Sequence, residues 1–218
     1  ILRLAPFRML GGICNRALSD LSIATAEVAA DNLAALGIPR DRIRTIPNGS
    51  FPVREVSKAE LASVREHWQL SEADVCIGIC ARLETCKGHE TFLRAAAMLI
   101  ERFPTMRLRF LIAGEGSQRA SLERLSDALG IANSVRFLGF LQDTAPFYRL
   151  LSVNVNCSVG TETSCLATSE CMSLGIPTVA SDFGGNREMI REGENGLLFR
   201  TDDVTSLSSK LAALLKSP

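Results

Sequence analysis

The sequence predicts an α/β fold in three layers, a parallel sheet with helices packed on both of its faces. From Val75 onward, short apolar runs alternate with longer segments of helical period. The runs are apolar or β-branched along their whole length, as strands buried on both faces are, and Gly, Pro, Asn or Asp bounds each of them.

The elements follow in chain order. LSIAT (21–25), a helical run from Glu27 to Leu36 and RIRTIP (42–47) make a strand–helix–strand unit that sits awkwardly with the main sheet. IPNGSFP (46–52) carries the Pro, Asn and Gly of a linker. Ser57 and Glu60 form a capping box for a helix whose apolar face holds Leu61, Val64 and Trp68. The strands of the main sheet are VCIGIC (75–80), LRFLIAG (108–114), VRFLG (135–139), VNVNCS (153–158), PTVAS (177–181) and GLLF (196–199). Between them, Phe92, Ala95, Ala96, Leu99, Ile100 and Phe103 mark one helical face and Leu122, Leu125 and Leu129 another. Val204, Leu207, Leu211 and Leu214 mark a C-terminal helix. These stripes read as core-packing faces.

Twenty-four basic residues balance 24 acidic ones among 218, so no electrostatic footprint for nucleic acid or an anionic membrane is present, and a small partner is expected. Seven cysteines, at 14, 76, 80, 86, 157, 165 and 171, form no C-x-x-C pair and fall mostly in apolar runs. They read as reduced thiols in a cytoplasmic protein. No apolar run approaches the roughly 18 residues of a spanning helix. The first residue is Ile rather than Met, and the chain is expected to begin inside a longer protein.

Ligands of open parallel sheets bind beyond the carboxyl ends of the strands, so the loops there are where functional residues are expected. In ARLETCKGHE (81–90), Arg82 and Lys87 precede a helix opened by Gly88, an arrangement suited to a diphosphate and to the charge that builds as it departs. Two solvated surface charges are the plainer alternative. Gly114-Glu115-Gly116 allows a sharp turn and a close approach of backbone to ligand, although any tight turn asks for glycine. Arg119 stands where a dinucleotide fingerprint needs its third glycine, and no phosphate-binding G-x-x-x-x-G-K-[ST] loop occurs.

The most specific segment is GTETSCLATSECMSLGIPTVAS (160–181). It puts Glu162 before a helix and Glu170 inside it, carboxylates suited to vicinal sugar hydroxyls, with Thr163 or Ser164 as the helix cap. For Glu170 a plain surface glutamate stays open. Gly184, Gly185 and Glu188 in DFGGNREMI (182–190) suit a donor-side loop or a simple turn and helix cap.

In order and spacing these loops resemble glycosyltransferase family four, enzymes of the two-domain GT-B type, over nearly the whole chain. IPNG (46–49), ARLETCKGHETFLRAA (81–96), LIAGEG (111–116), FLGF (137–140), the Glu162–Glu170 pair and GGNREMIREGENGLLF (184–199) carry the resemblance. It implies a Rossmann-like C-terminal donor domain at residues 49–218. Residues 1–48 would be the tail of an N-terminal acceptor domain and its linker.

By the same resemblance, Arg82 and Lys87 hold the donor diphosphate, Glu162 contacts the transferred sugar and Glu170 the ribose. Gly114 and Gly116 belong to the donor-binding turn, and the backbone of Phe137, Leu138, Gly139 and Phe140 meets the base. The amides around Ser164, Cys165, Leu166 and Ala167 serve the phosphate. The implied reaction is retaining and needs no metal, in keeping with the absence of a D-x-D motif, and no cofactor is expected beyond a nucleotide-sugar substrate, with UDP-sugar the common carrier. A glycan, lipid-linked or small-molecule acceptor would come through the missing N-terminal part, and peripheral attachment of the longer protein to a membrane is left open.

Three departures stand out. Glu162-Thr163-Ser164-Cys165 replaces the family's E-G-F-G, Cys171 occupies a position usually small, and the acceptor-domain histidine has no counterpart. His67 and His89 read as surface helix residues instead. A non-catalytic nucleotide-sugar-binding module is the alternative from another class. A GT-B epimerase or phosphorylase is a third possibility, and a two-carboxylate glycosidase would leave the phosphate-suited loops unexplained.

Overall fold

The structure, a computed structural model, describes residues 18–160 and 162–216. The expectation for Cys14 therefore lies outside the described residues, as does most of what was expected before β1. Strand β1 (Ser22–Ala24) pairs in parallel with β2 (Ile43–Thr45), and α1 (Glu27–Ala35) crosses between them. Ala24, Ala30, Ile38 and Ile43 close a small core of their own. The awkward fit of this unit to the main sheet thus has a simple cause, which is that it forms a separate two-stranded sheet.

Helix α2 (Lys58–His67) starts where the capping box predicts, the Glu60 amide donating to Ser57 Oγ at 3.1 Å. The main sheet contains β3 (Val75–Cys80), β4 (Leu108–Ala113), β5 (Val135–Gly139), β6 (Val153–Asn156), β7 (Thr178–Ser181) and β8 (Leu197–Phe199). All neighbours are parallel, in the order β5-β4-β3-β6-β7-β8. One face carries α3 (His89–Arg102), α4 (Arg119–Ala128) and α8 (Val204–Lys216), packed through Phe92, Leu99, Leu122, Leu207 and Leu211. The other carries α2, α5 (Ala145–Leu150) and α6 (Leu166–Ser173), packed through Trp68, Phe147, Tyr148 and Cys171. The short α7 (Asn186–Met189) follows β7. The result is the three-layer, Rossmann-like sheet expected.

The predicted helical stripe of α3 is its buried face, with Phe92, Ala95, Ala96 and Leu99 inaccessible to solvent. Each fully buried Leu or Phe contributes about 1.5–3 kcal/mol from burial. Helix α5 was not anticipated, because six residues are too few to display a period, although Pro146 in its first turn is a start signal. No helix among the described residues is long and apolar enough to cross a membrane.

His89 corrects the sequence reading. It is 3 % exposed, at a turn where the preceding Gly88 lies directly against Cys157 beyond the end of β6, and neither ring nitrogen has a hydrogen-bond partner among the described residues. Burial first, and the Lys87 charge second, push its pKa down to about 4 from an ordinary 6.5. The unfolded chain therefore binds this proton below pH 6.5 while the folded one does not until about pH 4, so stability is full above that window and falls as the pH drops through it. Urea unfolding at pH 7.5 and pH 5 should differ by about 2 kcal/mol from this group, and His89→Leu should flatten the difference.

Candidate functional site

The strand order reverses at β3, since the chain lays β4 and β5 on one side and then returns to place β6 on the other. Splayed loops at such a switch point leave a crevice beyond the strand ends. A cleft of about 440 Å³ lies there, lined by Ala81, Arg82 and Lys87 after β3, by Asn156 and Ser158 at the end of β6, by Glu162, and by Ser164 to Thr168 at the start of α6. A larger hollow of about 590 Å³ surrounds His89, Thr91, Arg94, Gln118 and Asp202. Its one guanidinium, Arg94, is already paired with Glu90, so the cationic chemistry sits in the first cleft.

Lys87 ends a 3₁₀ turn (Thr85–Lys87) that is fastened to the chain after β6 by Val159 N–H donating to Cys86 O at 2.9 Å. Its ammonium donates to Glu162 Oε2 at 2.8 Å, and Ser158 Oγ donates to the same oxygen at 2.6 Å. The Glu162 side chain is 6 % exposed and that of Lys87 16 %. A buried carboxylate requires such a partner, since removing one member of a buried pair costs about 3–5 kcal/mol. Arg82 lines the same cleft, exposed and without a carboxylate partner among the described residues.

A buried polar network supports this pair from below. Asn156 accepts from the Ser158 amide at 3.0 Å and donates to Asn186 Oδ1 at 3.1 Å. Asn186 donates to the carbonyl and hydroxyl of Ser181 at 3.1 Å each, and Ser181 Oγ donates to Ser158 O at 2.6 Å. None of these residues was singled out from sequence. The signal was available, because Asn154 and Asn156 interrupt an otherwise apolar strand that is buried along its length.

The Glu162 backbone is gripped by the turn after β7. Gly185 N–H donates to Glu162 O at 3.1 Å. The approach is so close that a Cβ on Gly184 would stand 2.1 Å from Glu162 O, and one on Gly185 1.8 Å from Thr163 O. These glycines hold the loop against the sheet.

The remaining predicted residues divide into two groups. Ser164, Cys165 and Leu166 do line the cleft, but neither Thr163 nor Ser164 is the helix cap, since α6 begins at Leu166 with Cys165 as its N-cap. Burial, and then the neighbouring Glu162, push the Cys165 thiol up, so it stays protonated. Glu170 lies a turn further along α6, outside the cleft lining, and accepts the Tyr148 hydroxyl at 2.6 Å. Burial first, with Cys80 and Glu170 adding to it, pushes that phenol up and keeps it a donor.

Gly114 and Gly116 also lie outside the cleft lining. Their closeness is to protein, since Cβ atoms there would stand 2.0 Å from Ala81 O and 2.5 Å from Leu83 O. They support the Arg82 loop, which is stitched to them by Leu83 N–H donating to Glu115 O at 2.9 Å. Phe137 and Leu138 pack inward, Phe137 under the Arg119 guanidinium at 4.9 Å, and Gly139 O accepts from Gly114 N–H at 2.8 Å. Phe140 stands 75 % exposed at the end of β5. From Phe140 through Gly114 and Arg82 to Glu162, the predicted residues follow four adjacent strand ends, three strand spacings or about 14 Å. Among the described residues no group of three or more His, Cys, Asp or Glu side chains is placed to hold a metal ion.

Comparison with known proteins shows the family and the fold. The model of the family described as "Glycosyl transferases group 1" matches residues 74–217. EpsD of Bacillus subtilis is 32% identical over 193 residues, 86% of this chain and 50% of that protein. The D-inositol 3-phosphate glycosyltransferase of Nocardia farcinica is 32% identical over 201 residues, 88% of this chain and 44% of that enzyme. The chain thus spans about half the length of the curated relatives it matches. Among solved structures, Anabaena HepE in complex with UDP and glucose superposes with a TM-score of 0.87 at 20% identity, over 96% of this chain and 57% of that one, a likeness of fold.

The grip on Glu162 is testable directly. Gly185→Ala should lower stability by about 2 kcal/mol or more in urea denaturation, as overpacking against backbone does. Gly49→Ala, where nothing stands within 4 Å, should leave stability within about 0.5 kcal/mol.

Proposed function

The chain belongs to the group 1 glycosyl transferases, and from that premise we propose that it is the donor-binding part of a retaining glycosyltransferase that takes a UDP-sugar. The observation that carries the reading is the Lys87–Glu162 pair, its carboxylate buried and its ammonium half-buried, facing a cleft that also receives Arg82 and the N-terminal amides of α6.

When the bond from the anomeric carbon to the diphosphate oxygen breaks, negative charge builds on the leaving group. Lys87, held in place by Glu162, is the preorganised cation for it, Arg82 is a second cation at the cleft, and the first amides of α6 supply further donors. Lys87 already sits in a partly dry site, where its charge acts with less screening than in water. Glu162, acceptor-only as a carboxylate, hydrogen-bonds hydroxyls of the transferred sugar with its free oxygen while Oε2 keeps Lys87 and Ser158. Glu170, oriented by Tyr148, offers its other oxygen to the ribose, and the base lies toward Phe140. A glycan, lipid-linked or small-molecule acceptor would reach the sugar from the part of the protein on the N-terminal side. HepE, of like fold, was solved with UDP and with UDP-glucose, which favours uridine as the base.

Thermal unfolding with UDP, GDP and ADP, without added metal, tests the reading. UDP at about 100 times its dissociation constant should add about 2.7 kcal/mol, roughly 5–10 °C for a chain of this size. Lys87→Ala and Glu170→Ala should each abolish most of the shift measured against their own baselines. A chain that responds to no nucleotide, or a Lys87→Ala variant that responds as fully as the parent, would contradict it.

A further inference from the structure

Glu188 has a partner that the donor site does not explain. Helix α1 begins at Glu27 after Ala26, whose side chain cannot cap it. The amides of Ala29 and Ala30 are taken by Ala26 O, which leaves those of Glu27 and Val28 as the unsatisfied donors of the first turn. Both donate to Glu188 on α7, 161 and 160 positions later: Glu27 N–H to Oε2 at 2.7 Å and Val28 N–H to Oε1 at 2.9 Å. A bidentate carboxylate at a helix N-terminus gains both the charge-assisted bonds and the favourable end of the helix dipole.

The same place holds two further contacts. Thr25, at the end of β1, brings its hydroxyl to 3.4 Å from that of Thr163, the neighbour of Glu162. Gly185, one residue before α7, holds the Glu162 carbonyl. The Glu162–Thr163 loop is therefore held between the Gly184–Gly185 turn on one side and the β1–α1 loop on the other, and Glu188 ties those two sides together.

We propose that Glu188 is a positioning residue, a latch that fixes the N-terminal unit on the donor domain and so sets the placement of Glu162. This rests on the donor-site reading for the importance of Glu162, but not for the existence of the link. Loss of the latch releases Thr25 from Thr163 and loosens the loop that meets the sugar, while Arg82, Lys87 and the strand ends toward the base are left in place.

Hydrogen–deuterium exchange on the chain as it stands tests the link without any ligand. Glu188→Ala should speed exchange in residues 27–35 and also in 158–166, with Glu188→Gln intermediate. Adding Ala26→Ser to Glu188→Ala supplies a local cap for α1 that is small and neutral enough for a position only 3 % exposed, and should restore protection at 27–35 but not at 158–166. If 158–166 is unchanged in Glu188→Ala, or recovers with the local cap, Glu188 only caps a helix and the inference fails.

Titration calorimetry then reads the consequence. Glu188→Ala should weaken UDP-glucose about tenfold and leave UDP within twofold. Equal loss for both ligands, or loss for neither, overturns the positioning role. A parent chain that binds neither ligand would sink the donor-site reading instead, and the exchange comparison would still decide the link.

Discussion

A half-buried ammonium and a buried carboxylate, Lys87 and Glu162, set the terms for everything around them. Each is costly out of water unless the other is near, and they come from loops 75 residues apart in sequence. Their meeting therefore depends on the sheet that aligns β3 with β6, and on the details that hold each loop against it. The Val159–Cys86 backbone bond fastens one side, and the Gly184–Gly185 turn grips the other. The Asn156–Asn186–Ser181 network satisfies the polar groups left underneath, which in so dry a place must be paired.

Topology explains why this happens at one position along the sheet. Only at the boundary of β3 and β6 do the loops leave in opposite directions, and that is where the cleft opens. The neighbouring strand ends then supply a ledge toward Phe140. The G-x-G turn serves the ledge as structure, since its glycines let the β4 loop lie against the carbonyls of the Arg82 loop. A second, smaller sheet stands beside the Glu162 loop and meets it through Thr25 and, by way of α7, through Glu188.

Much of this was legible in the sequence, because strands buried on both faces and helices with one apolar stripe leave a pattern that local reading can follow. The six strands of the main sheet came through with boundaries off by a residue or two, and so did the Ser57 cap of α2, whereas the Glu60 carboxylate of the expected capping box turns away to Arg54. Lys87 and Glu162 were both singled out by their loops and line one cleft, although their direct pairing was not foreseen. What was hidden depended on distant packing. His89 sits two residues after a lysine and directly before Glu90, and only the tertiary fold buries it. Glu188 reads as a local turn or cap until α1 is seen with two free amides beside it. Helix α5 was too short to show a period, and with it went Tyr148, the partner of Glu170.

The most direct test of the account is a crystal structure of the chain with UDP bound. Diphosphate oxygens should lie within hydrogen-bonding distance of Lys87 Nζ and the Arg82 guanidinium, at the N-terminus of α6, with the uracil ring toward Phe140. UDP lodged elsewhere, for example in the hollow around His89 and Asp202, with the Lys87–Glu162 pair facing an empty cleft, would contradict it.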